Sequence, residues 1–208
     1  MISHYLTLRS GPVVEPVSLE EAKLYLKVVD AADDGLITSL ISSARSIVED
    51  YTNRALLRQV WRLTLDRFPS HRREGADWRT IVLPRSPLAT VFSVLYRPED
   101  GTGQLLLAVT EYAVQVTTLP GGLTLNYGHA WPATEYDRPG AVEIVFKAGV
   151  GSAAAVPAPL LTALKLILSH LYDHRGQEDV PVSRPDLLDR IPAARHLLIA
   201  QRVGGFVS

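Results

Sequence analysis

His170 and His174 are the residues whose types and spacing come closest to chemistry. An i, i+4 pair on a helix turns both imidazoles to one face, the geometry of helical metal sites, and Asp173 stands beside them. A metal site needs further ligands, and metal-assisted hydrolysis needs a glutamate base between the histidines; the sequence signals neither. The pair therefore reads as a helix C-terminus that favours partly cationic rings. Nucleophile motifs fare no better, since no serine sits in a Gly-x-Ser-x-Gly context. Gly101-Thr-Gly103 precedes a strand rather than opening a helix, which makes it a hairpin turn and not a phosphate loop. Glu20, Glu21 and Glu49 lie on amphipathic helices, where solvated or capping roles account for them. Trp61, Trp78 and Trp131, with Tyr96, Tyr112, Tyr127 and Tyr136, could line a sugar-binding platform, although alternating aromatics serve core and interface packing more often. The expectation is a chain with no catalytic residue, no metal and no cofactor. Two other readings stand beside it: a carbohydrate-binding or adhesion module, and a metal-dependent hydrolase centred on the histidine pair.

The 208 residues carry 21 basic and 22 acidic side chains, a net charge of -1, and no cysteine. Without a basic surplus a general nucleic-acid binder is not expected. Without cysteine, disulfides, zinc-thiolate sites and thiol nucleophiles are excluded. A hydrophobic fraction of 47% supports a real core. Residues 1–16 show no basic segment followed by an apolar run, and Leu160–Leu168 is too short to span a bilayer and contains Lys165. A soluble chain made in the cytoplasm, with no membrane partner, is expected.

These residues have to be positioned by a short list of elements. Ser18-Leu-Glu-Glu21 has the spacing of a capping box and starts a short helix. Asp33 or Asp34 caps a longer one, in which Leu36, Ile37, Leu40, Ile41, Ala44, Ile47, Val48 and Tyr51 share an apolar face. Ser39, Ser42, Ser43, Arg45 and Glu49 take the other face, and Asn53 stops the helix. From Leu57 the period falls to two: Trp61, Leu63 and Leu65 alternate with Arg62, Thr64 and Asp66. Further short strands follow at Thr80–Leu83, Thr90–Tyr96, Gln104–Leu107, Tyr112–Val116, Leu123–Leu125 and Val142–Phe146, separated by Gly/Pro turns. Small residues at 148–155 form a hinge. Val156-Pro-Ala-Pro159 then introduces a third helix, apolar around much of its surface from Leu160 to Leu171.

The tail beyond Gly176 is interrupted by Pro181, Pro185 and Pro192, leaving short helical stretches at Asp186–Arg190 and Ala193–Arg202. Its apolar residues cannot form a core alone, so it packs either on its own domain or on a neighbour. The predicted fold is α+β: a small α-helical bundle with an inserted antiparallel β-sandwich-like block and an extended C-terminal tail. Residues 1–56 form the N-terminal helical part, 57–150 the β block, 151–176 the central helix and 177–208 a docking tail. The docking candidates are Leu187, Leu188, Arg195, Leu197, Leu198, Arg202 and Phe206.

Pro16-Val-Ser-Leu-Glu-Glu-Ala-Lys23, Asp33-Asp-Gly-Leu-Ile37, Ala44 to Glu49, Tyr51 and Thr52 together resemble the opening of phage head–tail connector (adaptor) proteins. The likeness continues through Gln59-Val-Trp-Arg-Leu-Thr-Leu-Asp-Arg-Phe68, Leu83-Pro-Arg-Ser-Pro-Leu88 with Val91, and Val145-Phe-Lys-Ala-Gly149. It ends with Val156-Pro and the Leu160 helix as far as Arg175, and gene transfer agents carry similar adaptors. The resemblance implies a non-enzymatic structural protein of the particle neck, assembled in the host cytoplasm. It implies a ring, typically a dodecamer, on the portal protein, docking a stopper or other neck or tail protein. Packaged DNA would pass through the channel without sequence-specific binding. Ala194-Arg-His-Leu-Leu198 and Gln201-Arg-Val203 resemble the family's closing segment only loosely.

Overall fold

The computed structural model describes residues 4–70, 78–136, 138–175 and 184–204, with the side chains of 184–186 excepted. The chain is α+β and divides into two compact units. A helical unit takes Pro12–Leu57 and Val150–Val203; a β unit takes Arg58–Gly149 and the residues up to Gly11.

In the helical unit, α1 (Leu19–Leu26) starts at Ser18, whose side chain accepts from the Glu21 amide at 3.1 Å. The Glu21 carboxylate pairs with Lys165 at 2.5 Å instead of reaching back to the cap. Lys27 ends the helix in the left-handed region, φ 58°. Helix α2 (Asp34–Thr52) buries Ile37, Ile41, Ala44 and Val48, and stops at Asn53, also left-handed at φ 54°. Asp33 occupies the N-cap position but makes no side-chain cap. Its carboxylate accepts from the Tyr172 hydroxyl at 2.5 Å.

The expectation that Arg45 and Glu49 lie on the solvent side of α2 is corrected by the structure. Glu49 is only 4% exposed. Its Oε1 accepts from the Leu56 amide at 2.7 Å and its Oε2 from Arg45 Nη1 at 2.8 Å. Arg45 also donates from Nε to Glu15 at 2.7 Å. Burial pulls the Arg45 guanidinium down, but the bonds and charges of Glu15 and Glu49 outweigh it and hold the group above its ordinary value.

Helix α3 (Ala158–Asp173) follows a single 3-10 turn at Ala153–Ala155 and buries Leu160, Ala163, Leu164, Ile167 and Leu168. The described part of the tail is helical and packed rather than extended: α4 (Arg184–Arg190) leads to α5 (Pro192–Ile199), which lies on α2 and α3. Leu187, Leu188, Ile191, Ala194 and Leu198 join the same core as Val17, Ile41 and Leu164. Arg54 Nε donates to the Gln201 carbonyl at 2.7 Å and the Val203 amide to that of Thr52 at 3.0 Å, tying the chain end to the end of α2.

Among the described residues the β unit holds two antiparallel sheets and no closed barrel. Its strands are β1 (His4–Ser10), β2 (Gln59–Leu65), β3 (Thr80–Val82), β4 (Leu88–Tyr96), β5 (Leu105–Leu106), β6 (Tyr112–Gln115), β7 (Gly122–Leu125) and β8 (Val142–Ala148). Five form one sheet in the order β1-β2-β8-β4-β5, and three form another, β3-β7-β6. The alternation read for β2 is realised in full, with Gln59, Trp61, Leu63 and Leu65 inward and the residues between them half-buried. In β8, Val142, Ile144, Phe146 and Ala148 do the same. β1, which matches no element expected from the sequence, is an edge strand paired with β2, from His4 opposite Leu65 to Ser10 opposite Val60. The polar stretch Ser70–Asp77 falls, from residue 71 on, outside the described residues.

Two stability predictions follow from the helical core. Leu198→Ala should lower unfolding free energy by about 2–5 kcal/mol, the cost of emptying a buried leucine site. Urea unfolding measures it, and removal of everything after Arg175 should leave the helical unit unable to fold. Glu49→Ala should cost about 3 kcal/mol in the same assay, because it strands the Leu56 amide and part of the Arg45 charge. Glu49→Gln should cost less, since its amide oxygen still accepts from Leu56.

Candidate docking surface

Six of the seven docking candidates separate into two groups. Leu187, Leu188 and Leu198 are buried in the helical core, so the expectation that they meet a partner gives way to intrachain packing. The physical reason is α3, which is apolar on more sides than α1 and α2 cover. Arg195, Leu197 and Arg202 remain at the surface. Arg195 Nη1 pairs with Asp189 at 2.8 Å, with both side chains about half exposed. The Arg202 guanidinium lies 5.3 Å over the Tyr51 ring. Leu197 is half-buried against the core, and its neighbour Ile199 projects outward. Phe206 lies outside the described residues. Ile199 is a surface residue that the sequence reading missed; its position one turn after Arg195 on a short helix was the available signal.

At the end of α3 the His170 and His174 rings stack 4.0 Å apart. His174 Nδ1 donates to the His170 carbonyl at 2.8 Å, which commits that nitrogen to capping the helix. Among the described residues no group of three His, Cys, Asp or Glu side chains is placed to hold a metal ion. His170 Nε2 is buried without a hydrogen-bond partner among them. Burial, then the charges of His174 and Arg190, hold the His170 ring below its ordinary value, against the opposing pull of Asp173. Beside the pair, Arg175 covers the Tyr172 ring at 4.0 Å, and Asp33, which accepts from the Tyr172 hydroxyl, holds that phenol above its ordinary value.

The β unit uses its aromatic residues mainly inside. Trp61 is buried under Arg85, whose guanidinium lies 4.8 Å from the ring. Trp131 stacks on Phe68 at 5.0 Å and donates from Nε1 to the Trp78 carbonyl at 2.9 Å. Phe68 also meets Tyr96 at 5.9 Å, and Tyr112 is buried. Only Tyr127 and Tyr136 of the seven stand well exposed, so the flat platform a sugar would need is not assembled from them. Gly101-Thr-Gly103 is a turn: both glycines have positive φ, and Asp100 Oδ1 accepts from the Thr102 amide at 3.0 Å and hydroxyl at 2.8 Å. A shallow concavity of about 350 Å³ on the three-stranded sheet is lined by residues such as Thr80, Gln115, Thr118 and Thr124, and carries no titratable side chain.

The depressed His170 makes the folded state bind fewer protons than the unfolded chain just below the ordinary value of 6.5. Its contribution to stability is therefore complete above that value and is lost as pH falls below it. Thermal unfolding between about pH 7 and pH 5 should show a falling Tm, and His170→Gln should flatten that slope.

Comparison with known proteins adds an independent line. Residues 16–81, which cover α1, α2, β2 and the start of β3, match the family model described as Phage gp6-like head-tail connector protein. No curated protein matches the chain. Among solved structures, a chain in the neck of an empty GTA particle, computed with C6 symmetry, superposes with a TM-score of 0.74 at 20% identity, covering 98% of both chains. A chain of the virion of a native gene transfer agent particle gives 0.69 at 22% identity, covering 98% of this chain and 97% of that one. One in the neck of a native GTA particle, computed with C12 symmetry, gives 0.58 at 21%, covering 97% and 98%. The sequence match in the first part of the chain and the fold match along its length agree, and they bear out the resemblance of this chain to the phage head–tail connector family, the similar adaptors of gene transfer agents included.

Proposed function

We propose that the chain is a structural head–tail connector (adaptor) of a tailed phage or gene-transfer-agent particle, working in the particle neck. The observation that carries this reading is the full-length fold likeness to chains of gene transfer agent necks, joined to the connector family match at residues 16–81. Copies assemble as a ring, with twelve as the expected number, below the portal protein. The ring extends the DNA channel and offers its far side to a stopper or other neck or tail protein. A net charge of -1 suits a wall past which DNA slides without being gripped. Among the described residues no helix is long and apolar enough to cross a membrane. The chemistry required is recognition between surfaces, and no catalytic step is assigned to any residue. Arg195, Leu197 and Arg202 are the remaining tail candidates for partner contact.

Imaging of purified particles tests the reading. A symmetric ring of this chain at the portal vertex is expected, and native mass measurement with the portal protein should give a ring-sized complex. Particles whose necks lack the chain, together with specific glycan binding by the purified protein, would overturn it in favour of an adhesion module.

A further inference from the structure

A ring closed by rotation uses one heterologous interface, so each copy must carry two different patches that fit each other. The helical unit turns apolar side chains outward on separate elements. On α1 and the turn after it, Leu24 is 81% exposed and Val29 94%. On α5, Ile199 is 54% exposed, one turn after Arg195. Helices α1 and α5 each pack on α2 and α3 and make no extensive contact with each other, so these residues occupy different parts of the surface.

The charges around them are of opposite sign. Residues 12–34 contain six carboxylates against two lysines, with Glu15, Glu21 and Asp34 paired to Arg45, Lys165 and Lys23, whereas residues 187–204 contain three arginines against one aspartate. Near Leu24 and Val29, Lys23 is engaged with Asp34, which leaves Lys27 against the exposed Glu20 and Asp30. Near Ile199, Arg195 is half exposed in its pair with Asp189, and Arg202, exposed over the Tyr51 ring, leaves that side positive. Apolar anchors inside a charged rim, with arginine on one side, are the usual make-up of a protein interface, and opposite charges set its orientation.

We infer that the α5 face of one copy, Arg195, Ile199 and Arg202, docks on the α1 face of the next, Glu20, Leu24 and Asp30. This rests on the reading of the chain as a ring-forming connector and names the contact that closes the ring. The tail thereby serves the neighbouring copy, through residues the core leaves outside.

Charge reversal in assembled particles is the test. Arg195→Glu with Arg202→Glu should reduce ring occupancy of necks by about tenfold, as should Glu20→Arg with Asp30→Arg. Combining all four should restore it, and since α1 and α5 make no extensive contact within a copy, rescue reports contact between copies. As a second measurement, Leu24→Cys with Ile199→Cys supplies the only thiols in a chain that has none. A short bis-maleimide reagent should convert these rings into covalent dimers and larger multimers, while either single variant stays monomeric. Reversed variants that fill necks normally, or thiols that link only to another protein, would overturn the contact. Necks that lack even the native chain would instead remove the connector reading on which it rests.

Discussion

Helix α3 sets the terms for the helical unit. Leu160, Leu164, Ile167 and Leu168 are fully buried, and Leu161, Leu166, Leu171 and Tyr172 pack partly against the same core. A helix apolar on so many sides is stable only when several neighbours cover it. Helices α1 and α2 cover part, and α5 covers the rest. The proline-broken tail is recruited because burial of its leucines completes that cover. Polar groups are then fitted around the apolar demand. Glu49 closes the turn after α2 by accepting from Leu56, and Arg45, which also pairs with Glu15, neutralises it. A carboxylate this deep is tolerable only with such partners.

The elements with a strong period were legible in the residues. The i, i+3, i+4 stripe from Leu36 to Tyr51 is α2, the alternation after Leu57 is β2, and the Ser18 cap and Asn53 stop are where their chemistry put them. What could not be read was the partner each residue would choose. Asp33 was an N-cap by local rules, but Tyr172, distant in sequence, takes its carboxylate. Glu49 sat on the polar side of a helical wheel, yet a turn that folds back over it makes that side interior. β1 was missed as a strand because nearly all of its residues are exposed, so burial left no clear alternation; pairing with β2 defines it.

The candidate surface was legible in half. Residue types marked the tail as an interaction segment, and Arg195, Leu197 and Arg202 do face outward or sit at the boundary. Leucines read the same in sequence whether they fill a core or meet a partner, since burial is decided by tertiary packing. Leu188 and Leu198 are core while Ile199, the next residue along, is not; the turn of α5 makes that distinction.

Leu57 and Val150 form an isolated parallel bridge within the helical unit, and between them runs the whole of Arg58–Gly149. The excursion thus leaves and returns at one clasped point, and β2 and β8, its first and last strands, are themselves paired from Gln59 opposite Ala148. For the helical unit, the Arg58–Gly149 part of the β unit is a loop already closed at its base. Closing a loop twice as long costs only about 0.6 kcal/mol more. Evolution could therefore lengthen, trim or replace the strands between β2 and β8 with little penalty to the helices, and divergence among relatives should accumulate there first.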